Sequence, residues 1–251
     1  MNVAVIHNIL LRLLRLRRLI GLALLTGMPA GVLFFLTFGN SEQDIRGFYE
    51  MLNITVLTII ALPVTALVLA SAAFGEERND QTLTFLVTKP LPRWHIALSM
   101  LTAATLATFA VGGIGIVAGW VVAAVAVGDA TIGLNTTVGL VVASLGYSAV
   151  FVPLGLLVSR STLTGLAFIF IWEFIIGASV TGVSTFSVFR TALSAYGDVG
   201  TVTIDAREAL EGVLGNVIPG VGGAFAKVGV LLVLSLAFTT WVLRRRDLAN
   251  E

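Results

Sequence analysis

The chain has 251 residues, of which 57% are apolar and 12% charged, and its mean hydropathy is +0.99. Soluble domains carry roughly 25% charged residues, so this composition excludes an ordinary soluble domain and predicts an all-α polytopic membrane protein. The net charge of +1, with arginines gathered at the edges of apolar runs, argues against a nucleic-acid partner; the lack of cysteine removes disulfides, thiolate nucleophiles and Cys-based metal sites.

Residues 1–18 open the chain with an amphipathic pattern. Arg12, Arg15 and Arg18 recur at helical spacing among leucines, which predicts a helix over 3–18 lying in the membrane interface. Its arginines would reach the anionic headgroups of membrane lipid. A cleaved signal peptide is not expected, because the following apolar run is too long for a signal core and no clear small-x-small site follows.

Apolar runs long enough to cross a bilayer, at about 20 residues per crossing, occupy residues 19–39, 50–74, 97–127, 136–158, 162–182 and 225–243. Six spans are predicted, the third being overlong and therefore tilted or protruding. Pro63 and Pro153 fall inside the second and fourth, where they kink the helices or are simply tolerated. Gly115 and Gly119, with Gly112, make a G-x-x-x-G face for close helix contact on the third.

Basic residues set the orientation. Arg12, Arg15, Arg17, Arg18, Arg78, Lys89, Arg93, Arg160, Arg244, Arg245 and Arg246 fall on one side of a six-span arrangement. Only Arg46, Arg190, Arg207 and Lys227 fall on the other. The positive-inside rule then puts both termini and the loop at 75–95 in the cytoplasm.

The loop carries a polar island, Glu77 to Arg93, between two long apolar segments. Asp80 can cap a short helix, Leu83, Leu86 and Val87 share one face of it, and Pro90 and Pro92 end it. Such a capped helix either offers a face to a soluble partner or merely joins two spans.

Outside, residues 183–224 form the longest polar-tolerant segment. Phe186, Phe189, Leu193 and Tyr196 recur at helical spacing, as for a helix in the outer interface or a re-entrant one. Asp205 is placed to cap a second short helix through Leu210, and Gly220, Gly222 and Gly223 loosen the start of the last span.

Glu173 is the one charge placed deep in a span, about eleven residues into the fifth. An ionisable residue there costs a few kcal/mol and faces a cavity or a partner. It lines a translocation path, or it is a structural acid hydrogen-bonded to Ser, Thr or Trp of a neighbour. Trp172 beside it lines the same path or packs against lipid.

His7 and His95 are the only histidines, and neither has a recognisable catalytic or metal-binding companion set. No catalytic residues and no metal site are expected.

At Glu77–Arg93 the chain resembles the membrane subunit of an ABC transporter of the type-2, exporter class. That family reads E-x-x-x-G-T-L-x-x-L-L-x-x-P-x-x-R at the cytoplasmic end of the second span. Glu77, Thr82, Leu83, Leu86, Pro90 and Arg93 stand at the matching positions. Gln81 replaces the glycine, Val87 the second leucine, and Ser99-Met100 a later Gly-Lys pair.

The resemblance spans the whole chain and implies a single permease domain over 1–251, in the plasma membrane. Its coupling helix would dock into a separate ABC ATPase subunit, and a second permease copy or paralogue would complete the transporter. No G-x-x-x-x-G-K-[ST] loop occurs; Gly222 to Lys227 is the nearest lookalike. The chain is therefore expected to bind no cofactor itself, ATP being handled by the partner. The alternatives are a secondary transporter using Glu173, an intramembrane enzyme, and, within the same class, a permease for copper-enzyme maturation. One intramembrane Glu with no evident internal repeat argues against the first.

Overall fold

The computed structural model describes residues 3–38, 45–79, 92–128, 133–176, 184–215 and 219–245. Every regular element among them is a helix. A bilayer demands this of the spans, since a lipid-exposed backbone must satisfy its N–H and C=O groups within its own segment.

Helix α1 (Val3–Leu13) buries Ile6, Ile9 and Leu13 on one face, against the later spans. The continuous helix expected to residue 18 breaks near Leu14 and Arg15, and α2 (Leu16–Phe38) starts there. Arg15, Arg17 and Arg18 therefore belong to the junction and the first turn of α2.

The second apolar segment begins earlier than expected, with α3 (Ile45–Leu52). It continues through a π-helical stretch (Asn53–Ala61) into α4 (Leu62–Asn79). The irregularity expected at Pro63 thus appears as widened turns just before it; proline has no N–H to donate to a regular ladder. Within that stretch Thr58 Oγ1 donates to Asn53 O at 2.8 Å, and Asn53 Nδ2 donates to Tyr49 O at 2.8 Å.

Helix α5 (Arg93–Val127) has 35 residues, and at 1.5 Å per residue it is about 52 Å long, well beyond a ~30 Å hydrocarbon core. Helix α6 (Leu134–Leu157) runs through Pro153 without interruption and is the hub, packed by α4, α5 and the later helices. Helix α7 (Ser161–Phe168) passes into a second π-helical stretch (Ile169–Ile176). A 3₁₀ turn (Ser184–Phe186) then leads to α8 (Val188–Val199), α9 (Ile204–Leu214) and α10 (Gly220–Arg245).

Among the described residues five helical segments are long and apolar enough to cross a membrane: Leu16–Thr37, Ile45–Arg78, Arg93–Val127, Leu134–Leu157 and Gly220–Arg245. The sixth expected span is represented by a shorter apolar helix, Ser161–Ile175; residues 177–183 lie outside the described set.

Small residues set the closest contacts. A Cβ on Gly115 would stand 2.1 Å from the Thr26 carbonyl oxygen, so α2 and α5 meet backbone to backbone where the glycine motif predicted contact. Gly155 serves α6 in the same way, its virtual Cβ lying 2.2 Å from Ser71 O on α4.

Of the two placements open for the segment after the fifth apolar run, in the interface or partly buried, its first helix takes the buried one. Phe189, Leu193 and Tyr196 of α8 are buried against α6, while Phe186 is exposed. Burial pushes the Tyr196 phenol above its ordinary pKa, with the nearby Glu50 adding to it, so the group stays a neutral hydroxyl.

Candidate functional site

Ionisable side chains gather at two ends of the helices. At the arginine-rich end, Arg12 of α1 pairs with Glu77, and Arg18 of α2 pairs with Glu76. Arg12 Nε also lies 3.3 Å from Glu76, and its Nη2 donates to Ala73 O at 3.1 Å. Four half-buried charges thus tie α1 and the start of α2 to the end of α4.

The chain re-enters the described set at Pro92, and Arg93 starts α5 with its Nη1 buried and unbonded among the described residues. Of the residues singled out for ATPase coupling, Glu77 and Arg93 therefore bracket the loop. Thr82, Leu83, Leu86 and Pro90, with the proposed cap Asp80, lie outside the described residues.

Glu173 sits in the second π-helical stretch and is buried. Its Oε2 accepts from Ser187 Oγ at 2.5 Å and its Oε1 from Val188 N at 3.1 Å. Ser187 is the N-cap of α8, and its Oγ accepts in turn from Arg190 N at 3.3 Å. The carboxyl group thus engages the donors that the first turn of α8 leaves open, where the helix dipole also favours negative charge. The expected serine partner exists, but it comes from the N-cap of α8 and not from a neighbouring span. Trp172 stacks near Phe168, with ring centroids 6.1 Å apart.

Glu50 repeats the arrangement, unforeseen in the sequence. It is buried on α3, where Oε2 accepts from both Thr203 N and Thr203 Oγ1 at 2.7 Å, and Oε1 from Arg46 Nε at 3.2 Å. Thr203 is the N-cap of α9, and its hydroxyl makes no cap bond of its own. Asp205 therefore sits in the first turn of α9 and is not its cap, contrary to expectation. The available signal was the i, i+4 spacing of Arg46 and Glu50 at the edge of an apolar run.

A third carboxylate completes the set. Asp198 Oδ2 accepts from Val221 N at 2.8 Å, and Ser194 Oγ accepts from Gly220 N at 3.1 Å, at the start of α10. Gly220 has φ +64 and is the one glycine of the expected trio in the left-handed region. Each of α8, α9 and α10 therefore has its N-terminus held by a carboxyl group from another element. Among the described residues no group of His, Asp and Glu is placed to hold a metal ion.

A family model described as ABC-2 family transporter protein matches residues 13–186, well over half of the chain. The chain belongs to this family. It is thus a multi-pass membrane permease of the ABC transporter class, as the Glu77–Arg93 motif implied. The matched residues take in α2 to the 3₁₀ turn, including both bracketing residues of the loop and Glu173; α8, α9 and α10 follow it. No curated protein matches the chain.

Proposed function

We propose that this permease is the membrane half of an ATP-driven exporter in the plasma membrane, with six spans and both termini in the cytoplasm. A separate ATPase docks on the loop at 75–95 through Glu77, Thr82, Leu83, Leu86, Pro90 and Arg93. A second copy or a paralogue completes the translocation path. ATP is bound and hydrolysed by the partner, consistent with the lack of a phosphate-binding loop in this sequence.

The observation that carries the reading is the charged base of that loop. Arg12 and Arg18 hold Glu76 and Glu77 at its start, so a force on the loop reaches α1, α2 and α4 together. A loop swinging on a loose base would absorb an ATPase stroke locally. In the same reading α1 lies in the interface as a lever, and Glu173 acts by holding α8 to the π-helical stretch that follows α7.

The coupling face is tested by Leu86→Asp, which would bury an unpaired charge at the dock, at a cost of several kcal/mol. The expected outcome is loss of ATPase co-purification and of transport, with membrane insertion intact. Full recovery of the complex would remove this segment as the dock.

A further inference from the structure

We propose that the groove between α10 and the start of α8 is a binding site for an anionic phospholipid. The groove has a volume of about 360 Å³, within the range of small-ligand sites. One wall is Val230, Leu231 and Leu234 of α10; the other is Phe186, Val188 and Thr191. The lining is almost wholly apolar, with a single ionisable side chain, Lys227.

The order of those residues along α10 matches an amphiphile. Lys227, Leu231 and Leu234 are four and three residues apart, so they share one face over about 10 Å of helix. Lys227 lies near the start of α10, seven residues past Gly220, while Leu231 and Leu234 lie deeper in the span. A headgroup phosphate would meet the ammonium, and an acyl chain would run down the leucine stripe. Half-buried Lys227 makes one long hydrogen bond among the described residues, to Thr185 O at 3.4 Å. Two of its three donors remain for a ligand.

Two of the hydroxyl groups in the lining are already used. Ser187 Oγ donates to Glu173, and Thr191 Oγ1 donates to Ser187 O at 2.8 Å. Charge at the groove therefore comes from Lys227, with no carboxyl group in the lining among the described residues, and it favours a net-anionic headgroup over a zwitterionic one.

A second groove against α10 provides the internal control. It is lined by Leu101, Thr105, Val233 and Leu236 among others, has a volume of about 280 Å³ and no ionisable lining residue. Bilayer chains should fill it without regard to headgroup. The lipid site depends on α10 crossing a bilayer and not on ATPase docking.

The test is photo-crosslinking in nanodiscs of phosphatidylcholine containing one-fifth phosphatidylglycerol. A benzoylphenylalanine replaces Leu234 in one sample and Val233 in another, and the adducts are identified by mass. The expected result at 234 is a roughly fivefold preference for phosphatidylglycerol over phosphatidylcholine, equivalent to ~1 kcal/mol, which would raise phosphatidylglycerol from its one-fifth share to somewhat over half of the lipid adducts. Position 233 should report the bulk composition, and Lys227→Gln should return 234 to bulk. Bulk composition at 234 in the otherwise unaltered chain, or enrichment that survives Lys227→Gln, would overturn the assignment. A protein–protein adduct at 234 would put a second copy in the groove and overturn it equally.

Discussion

Glu173 and Glu50 solve one problem in two settings. Each is a buried carboxyl group on an apolar helical segment, and each accepts hydrogen bonds from the N-terminus of a helix in the 184–215 region. Glu50 also has Arg46 beside it, whose side chain is 30% exposed, whereas Glu173 is bound by a serine hydroxyl and a backbone N–H that are both buried. If Glu50 is lost, its partners have a route to water. The partners of Glu173 border only the almost wholly apolar groove between α8 and α10, so the two sites should differ in cost more than their similar bonding suggests.

Substitutions can break or sharpen that difference. Glu173→Leu leaves Ser187 Oγ and Val188 N without their acceptor and should cost about 3 kcal/mol or more, read as thermal stability in detergent. Glu50→Leu should cost about 2 kcal/mol, with faster proteolysis around α9 as the local sign that its N-terminus has loosened. Equal losses would refute the distinction. Ser187→Ala removes a helix cap but leaves Val188 bonded, and about 1 kcal/mol is expected from the same melting curves.

Glu173→Gln should have the smallest effect, within about 1 kcal/mol, because the amide can accept from Val188 and donate to Ser187. Transport separates the two roles of this residue. Activity retained in Glu173→Gln supports the tether to α8, whereas activity lost at unchanged stability would place the carboxyl group in the translocation path.

The parts legible in the sequence were those written locally. Apolar run length marked the long spans, and the small residues around Gly115 announced the backbone contact with Thr26. The spacing of Phe189, Leu193 and Tyr196 marked one face of α8, but periodicity does not name the surface that covers it. That is why the spacing left interface and buried placements both open, and the packing on α6 decides between them.

The carboxyl groups at the helix starts were harder to read. The Glu50–Thr203 contact joins residues 153 positions apart, and nothing in either neighbourhood points to the other. Glu173 stood out because it interrupts a strongly apolar stretch. Glu50 did not, because a charge at the edge of an apolar run reads as its boundary. Arg12 and Arg18 were legible as part of a basic face, yet their pairing with Glu76 and Glu77 required α1 and the start of α2 to lie beside the end of α4.

The most direct test of the permease account uses the absence of natural cysteine. Thr84→Cys places a thiol in the 75–95 loop, and Glu208→Cys places one on the exposed face of α9. In intact cells an impermeant maleimide should label position 208 and not 84. In inside-out vesicles stripped of peripheral proteins it should label 84, and adding back the ATPase should block that labelling. Labelling of both positions from outside would contradict the six-span orientation. Labelling of 84 at an undiminished rate with the ATPase bound and active would contradict docking at this loop.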